Sequence, residues 1–205
     1  MNRREIKKWA KSELKDNYFN YLKPVLFLFA FIVVSGRIMD IIDNIFISDI
    51  VGFVLNLLLI PLTLGALKYY LKACKKQKLT TDDLFSLYKK PVRLIITILF
   101  SGLVMVGGYI FFIIPGIYFS FALALVPYLL VTKRKVKSFD ILEESIKTMK
   151  GHKVELFKFE LSFLLWHIVS ISSFGLLYLY VMPYYLLART KLLMSFADED
   201  EVIVA

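Results

Sequence analysis

The sequence is poor in the residues that build most catalytic and metal sites. Its 205 residues include one cysteine, Cys74, and two histidines, His152 and His167. A lone cysteine excludes an intrachain disulfide, and two isolated histidines do not have the spacing of metal ligands. There is also no glycine-rich phosphate loop and no nucleophile elbow. We therefore expect a protein without catalytic residues, bound metal or cofactor, and not an enzyme.

Apolar residues, in contrast, are in excess. They make up 58% of the chain, whereas an ordinary soluble domain contains about 45–50%. A globule of this size cannot bury so many, so the excess requires lipid as a solvent. The net charge of +9 does not indicate nucleic-acid binding, because the basic residues flank apolar runs instead of forming a basic face or motif. Membrane lipids are the expected partner, since a basic residue near anionic headgroups contributes about 1 kcal/mol.

Six apolar runs predict an all-α polytopic membrane protein with six transmembrane helices in a single integral domain, 1–205. A spanning helix needs about 20 residues, a length that runs two, three and five meet. Run one is short unless it includes Tyr18–Tyr21 or continues through Met39, and run four is the shortest. The runs are 22–38, 50–71, 92–114, 117–131, 154–173 and 176–193. We expect a reversal at Pro115-Gly116, because proline stops a helix and glycine permits the turn. The alternative merges runs three and four into one span with a re-entrant piece.

Lysine and arginine alternate between the two sides of these runs. Twenty-five of the 26 lie in Met1–Lys23, Lys68–Arg93, Lys133–Lys158 and Arg189–Lys191, and the exception is Arg37. Cytoplasmic loops of membrane proteins collect such residues. The pattern predicts a cell-membrane location with both termini cytoplasmic. It disfavours the merged alternative, which would place 133–153 outside.

Three amphipathic segments are predicted as helices on the cytoplasmic surface: 1–21, 80–90 and 138–150. The first carries an apolar stripe at helical spacing, typical of a helix that lies in the membrane interface. The third should end at Gly151 in a left-handed cap. The final segment, 197–205, is predicted to be an acidic tail.

Proline marks the even-numbered runs. Pro61, Pro127 and Pro183 each precede the next basic residue by a similar distance. This symmetry favours a threefold repeat of amphipathic helix plus hairpin, although coincidence remains the alternative because proline is common in membrane helices. Each proline is a candidate helix kink, and the carbonyl that it frees needs a donor from a neighbouring helix, a hydroxyl or water. Kinks at one depth would open a cavity towards the cytoplasm.

Run five contains the most notable polar residues. Glu160 and His167 lie on one face, and Lys158 precedes them. Ionisable residues inside a span often indicate function, and a Glu160–His167 line would relay protons or bind a cation. The favoured alternative is structural: Glu160 meets Lys158 or Lys153 at the headgroup level, and His167 bonds to another helix.

The stretch from Ser145 to Lys153 (SIKTMKGHK) resembles a known pattern, together with landmarks at Phe157, Leu161-Ser162-Phe163, Trp166, Gly175 and Pro183-Tyr184. Leu64-Gly65-Ala66 and Pro115-Gly116-Ile117 also fit. The pattern is similar to that of a bacterial multi-pass membrane family, domain of unknown function 975. The resemblance implies the multi-pass architecture and supplies no catalytic residues. The acidic tail departs from the aromatic continuation usual in the family.

These observations favour a non-enzymatic multi-pass membrane protein that interacts with lipid or other membrane components. One alternative is an immunity protein that protects against a membrane-active peptide or toxin, by analogy with other small basic multi-pass chains. Another is a small transporter or channel, for which Glu160, His167 and the proline kinks are the only support.

Overall fold

The computed structural model describes residues 2–133, 136–173, 175 and 177–204, with side chains as far as Ala197. This part of the chain is helical, without strands. A 3₁₀ helix, Ser86–Lys89, follows α3. The α-helices are α1 (Arg3–Asp40), α2 (Ile45–Cys74), α3 (Asp82–Phe85), α4 (Pro91–Phe111), α5 (Ile113–Ala122), α6 (Val126–Thr132), α7 (Ser138–Thr148), α8 (Lys153–Ser172) and α9 (Tyr178–Val204). The prediction of an all-α fold is confirmed. The side chains of the acidic tail beyond Ala197 lie outside the described residues.

Four helical segments of the described chain are long and apolar enough to cross a membrane: α1, α2, α4 and the α5–α6 pair. They coincide with the first four predicted spans. Predicted spans 154–173 and 176–193 fall in α8 and α9, which are not among the four. Charge explains the difference for α8, which carries Lys153, Glu155, Lys158 and Glu160 in its first turns. The six-span count and the threefold repeat stay predictions.

Helix α1 has an amphipathic first part and an apolar second part. A capping box opens it, in which Asn2 accepts from the helix and Glu5 bonds back to the Asn2 backbone. The backbone leaves helical geometry at Asn17 (φ −135°, ψ 34°), slightly before the predicted boundary at 21. The helix is therefore kinked at Asn17, and its two parts point in different directions.

The buried core lies at one end of the molecule, which we call the basic end because the Lys- and Arg-rich segments meet there. The opposite end, around the α1–α2 connection and Phe112, exposes large apolar side chains and is called the apolar end. The largest fully buried side chains of the basic end include Ile6, Leu14, Tyr69, Tyr70, Leu84, Leu129, Ile141, Phe159 and Phe163. Only 11% of the most apolar part of α1 is buried. The far halves of α1, α2, α4 and α5 thus need lipid around them.

All three amphipathic segments turn their apolar sides into this core. Ile6, Ala10 and Leu14 of the first are fully buried, as is Leu84 of the second and Ile141 of the third. The first part of α1 was expected to lie in the membrane interface; its apolar stripe packs against the protein, mainly along α9. Gly151 has the predicted positive φ, +103°, although α7 itself ends at Thr148, three residues earlier.

The reversal between α4 and α5 lies at Phe112 (φ −165°, ψ 153°), so its placement at Pro115-Gly116 was wrong. Pro115 occupies the first turn of α5, where a backbone N–H has no intrahelical partner and proline costs nothing. Gly116 serves helix packing, because a Cβ there would overlap the ring of Tyr109 on α4.

Two tyrosine hydroxyls satisfy carbonyls that prolines free. Pro24 in α1 cannot donate to the Asn20 carbonyl, which accepts from Tyr69 Oη at 3.0 Å. Pro183 in α9 likewise frees the Leu179 carbonyl, which accepts from Tyr18 Oη at 3.2 Å. At Pro183 the predicted donor is thus a hydroxyl from a neighbouring helix; Pro24, which was not among the candidate kinks, has the same kind of donor.

The candidate kinks differ in local structure. Pro61 and Pro183 lie inside continuous helical stretches. Pro127 sits in the first turn of α6, after a turn at 123–125 that separates it from α5. The kinks at a common depth stay a prediction.

Candidate functional site

Helices α8 and α9 form the third hairpin, defined as residues 153–197. The turn between the helices is described at Ser173, Gly175 and Leu177, and Gly175 has φ +84°. Gly175 N donates to the Ser170 carbonyl at 3.0 Å, and Leu177 N donates to Ser173 Oγ at 3.2 Å. The turn therefore satisfies these polar groups locally and holds α8 antiparallel to α9.

Glu160 is held by two donors on α9. Its Oε1 accepts from Arg189 Nε at 2.9 Å, and its Oε2 accepts from Tyr185 Oη at 2.8 Å. The side chains of Glu160 and Arg189 are 28% and 29% exposed. A charge-assisted pair that also receives a phenol is among the stronger polar contacts of a protein. The pair therefore fixes the position of α8 along α9.

His167 shares Tyr185 with Glu160. Its ring lies edge-on to Tyr185 at 5.3 Å and stacks on Tyr178 at 5.8 Å between centroids. Among the described residues it makes these ring contacts and no hydrogen bond. Tyr185 thus contacts both predicted residues, Glu160 through its hydroxyl and His167 through its ring, and the proton relay stays a prediction.

The first part of α1 closes over this hairpin through Lys7. Lys7 Nζ donates to Ser162 Oγ and lies 4.4 Å from the centroid of the Phe163 ring, in cation–π geometry. Its backbone carbonyl accepts from Tyr184 Oη at 3.4 Å. These contacts seat α1 on both helices of the hairpin.

Neither basic residue expected beside Glu160 is its partner. Lys158 is exposed, on another side of α8 because it lies two positions away. Lys153 instead places its Nζ 3.5 Å from the centroid of the Tyr118 ring on α5. Arg189 was treated in the sequence only as a flanking charge. The sequence contained one signal for this pair. Glu160 and Arg189 flank the apolar stretch 161–188 at its two ends, and a hairpin brings such ends together.

A second buried ion cluster joins α3 to α2, and sequence reasoning missed it. Asp83 Oδ1 lies 2.7 Å from Lys72 Nζ and 3.3 Å from Lys68 Nζ, and Oδ2 accepts from Thr80 Oγ1 at 2.8 Å. Burial raises the pKa of the Asp83 carboxyl, but the hydrogen bonds from Lys72, Thr80 and Lys68 outweigh it and hold the pKa at about 2. Gly65 permits this contact, since a Cβ there would overlap the Leu84 carbonyl.

Two depressions at the basic end, which are open to the surface and are called cavities below, are lined by cations. One, of about 590 Å³, is bounded by Lys89, Lys90, Pro91, Val92, Arg93, Ile96 and Ser138. The other, of about 500 Å³, is bounded by Asn2, Arg3, Arg4, Lys7 and Ser162. Within the described residues, no three His, Cys, Asp or Glu side chains are grouped to hold a metal ion. Anions are therefore the ligands for which the side chains at this end are best suited.

A protein-family model described as "Protein of unknown function (DUF975)" matches residues 86–193, slightly more than half of the chain. The resemblance inferred from the sequence is thereby confirmed. The matched range includes the cavity at the start of α4 and the Glu160 cluster. No curated protein and no solved structure matches the chain.

Proposed function

The chain belongs to the DUF975 family, and we propose that it is a non-enzymatic multi-pass protein of the cell membrane that binds anionic phospholipid at its basic end. The basic end, with both termini, faces the cytoplasm in this proposal. The distribution of Lys and Arg supports that orientation, because 25 of 26 lie on one side of the apolar segments. Arg37, the exception, lies near the α1–α2 connection, where Asp40 and Asp43 balance it.

The observation that carries the proposal is the cavity of about 590 Å³ at the start of α4. It combines Lys89 and Lys90 with the apolar side chains of Val92 and Ile96, which are 66% and 54% exposed. A phospholipid has the matching chemistry, an anionic phosphate followed by acyl chains. Basic pockets beside membrane helices are suited to such headgroups.

The cations of the basic end are not equivalent. Lys68 and Lys72 share an ion pair with Asp83, and Arg93 donates to the Lys133 carbonyl at 3.1 Å. Lys89 and Lys90 are exposed and line the cavity. They are therefore the residues assigned to the phosphate.

Two carboxylates of the basic end make contacts that join helices. Glu160 is bound to Arg189 and Tyr185, and Asp83 is bound to two lysines. A general base needs a lone pair directed at a substrate. Both groups use theirs to fasten helices together.

The test is a titration of the purified protein with phosphatidylglycerol and, separately, with phosphatidylcholine. The variant Lys89→Gln/Lys90→Gln should bind phosphatidylglycerol about 30-fold more weakly, because two cations contribute about 2 kcal/mol. The control Lys75→Gln/Lys78→Gln removes the same charge from the exposed loop after α2 and should leave the affinity within about twofold. Equal losses in both variants would mean diffuse charge attraction, and the site would be rejected.

A further inference from the structure

We propose that the protein pairs with a second copy of itself inside the membrane, through one face of α2. This face, called the α2 seam, is defined by the exposed polar residues Asp49, Asn56 and Thr63. The inference goes beyond the proposed function, because the partner is a protein and not a lipid. It requires that α1 and α2 span the membrane, and it is the same for either orientation of the basic end.

The first observation is a polar side chain that is exposed at the depth of the hydrocarbon. Asn56 lies about 10 Å along α2 from Asp49 and about 18 Å from Lys68, the nearest charged residues of the helix on either side. Its Nδ2 donates to the Gly52 carbonyl at 2.8 Å, and among the described residues its carboxamide makes no other hydrogen bond. One N–H and the Oδ1 oxygen of Asn56 therefore lack partners, and acyl chains offer none.

The second observation is the spacing of the α2 seam. Asp49, Asn56 and Thr63 are seven residues apart, and they are the exposed polar residues of α2. Seven residues make almost two helical turns, so the three side chains lie along one face. Two parallel helices stay in contact at this spacing, and a single asparagine in such a contact fixes the register and the number of chains. The face of α2 thus has the pattern of a helix-pairing surface.

The third observation is a groove beside the α2 seam that the chain does not fill. It lies between α1 and α2, has a volume of about 230 Å³, and is lined by Ser35, Gly36, Gly52 and Asn56 together with apolar side chains. The Ser35 hydroxyl makes no hydrogen bond within the described part of the chain. A Cβ on Gly36 would meet nothing within 4 Å. Small residues let membrane helices approach closely, so the groove has room for side chains of a neighbouring helix.

A second copy supplies the matching chemistry at the matching depth. A carboxamide both donates and accepts hydrogen bonds, so the Asn56 side chains of two copies can pair across a twofold axis. When this axis runs along the membrane normal, each seam residue faces the same residue of the other copy, and their depths agree. Lipid would leave the carboxamide unpaired. Asp49 lies at the end of the charge-free stretch, where water and salt screen the repulsion between the copies.

The first experiment measures association by energy transfer between copies that carry a donor or an acceptor dye on Lys78→Cys, in a Cys74→Ala background. Lys78 is exposed in the loop after α2, away from the seam. The full chain is reconstituted in phosphatidylcholine vesicles at increasing ratios of lipid to protein. Phosphatidylcholine has no net charge, so the result is independent of the proposed binding of anionic lipid.

Asn56→Leu should weaken association about tenfold, because it removes a reciprocal pair of hydrogen bonds within the membrane. Asn56→Gln keeps the carboxamide and should associate more tightly than Asn56→Leu. In micelles that hold monomers, Asn56→Leu should unfold at the wild-type temperature, since an exposed leucine suits hydrocarbon. This measurement separates lost association from a defect in folding.

Two glycines give a matched pair for the groove. Gly36→Leu should also weaken association, because the new side chain occupies the groove. Gly102→Leu, on α4, is the control, since a Cβ there also meets nothing within 4 Å. It should associate like the wild type.

The second experiment tests the register by cross-linking in native membranes. A short bis-maleimide should join two copies of Asp49→Cys and should not join two copies of Ile47→Cys, both in the Cys74→Ala background. Both positions are exposed at the same end of α2, but they face opposite sides because two residues correspond to about 200° of helical turn. Equal cross-linking at both positions, or association that Asn56→Leu leaves unchanged, would overturn the α2 seam. Absence of energy transfer in the wild type at every lipid ratio would overturn the association itself.

Discussion

The substitution Asp83→Asn should destabilise the protein by about 2 kcal/mol at neutral pH. It keeps the shape and an acceptor for Thr80 but removes the charge that pairs with Lys68 and Lys72. The pKa of the Asp83 carboxyl falls from 3.8 to about 2 on folding. At 1.36 kcal/mol per unit, this shift is worth about 2.4 kcal/mol at neutral pH. The carboxyl side chain is only 7% exposed, so water screens it little.

The contribution of Asp83 should also depend on pH, with a definite sign. A carboxyl whose pKa is lowered by folding stabilises the protein fully above its unfolded pKa and loses that effect as pH falls towards its folded pKa. The window here is from about pH 4 to pH 2. At pH 3, about 1.3 kcal/mol of the stabilisation should remain. The difference between wild type and Asp83→Asn should therefore shrink to about half.

The assay is thermal unfolding in detergent micelles at pH 7, 4 and 3. Asp82→Asn is the matched control, because Asp82 is the adjacent carboxylate and is exposed; surface changes of this kind stay within about 0.5 kcal/mol. If Asp83→Asn and Asp82→Asn unfold alike, or if their difference does not change with pH, the ion cluster does not fasten α3 to α2.

Two further substitutions test packing and pairing. Gly65→Ala should destabilise the protein by about 1–3 kcal/mol in the same unfolding assay, because its Cβ would overlap the Leu84 carbonyl. The control Gly102→Ala, whose Cβ would meet nothing within 4 Å, should be neutral or stabilising. The reverse order of stability would contradict the close approach of α2 and α3. Glu160→Gln and Arg189→Gln should each destabilise, and the double variant should lose less than the sum by about 0.5–3 kcal/mol. Strict additivity would mean that the two side chains do not interact.

Periodic features of the fold were predictable from sequence. The amphipathic stripe beginning at Ile6 and the left-handed backbone at Gly151 follow from local spacing and capping chemistry. What the stripe of α1 packs against was not predictable, because a helix face is equally suited to lipid or to a protein core. The contact of α1 with α9 is a tertiary contact that the local sequence does not specify.

The polar clusters were beyond sequence reasoning for a similar reason. The pairing of Asp83 with Lys72 depends on α3 folding back on α2, and the pairing of Glu160 with Arg189 depends on the closure of a hairpin. The reversal at Phe112 was missed because proline stops a helix in its interior but is accepted in its first turn. Pro115 has the second role.

The assignment of the last two predicted spans depends on how the length of an apolar run is measured. The apolar run 154–173 reaches a spanning length only if Glu155, Lys158 and Glu160 are counted within it. With Glu160 paired with Arg189, the uncharged parts of α8 and α9 are about 18 and 16 Å long at 1.5 Å per residue, and the assignment of spans five and six stays a prediction. Hydrophobic length is better measured between charges that face each other than along the sequence.

The lipid that copurifies with the protein tests the proposed function most directly. After mild detergent extraction from membranes of known composition, wild type and Lys75→Gln/Lys78→Gln should retain anionic phospholipid well above its share of the membrane. Lys89→Gln/Lys90→Gln should retain it only in proportion to that share. Wild-type protein with the same lipid ratio as the bulk membrane would contradict the proposal that its basic end binds anionic lipid.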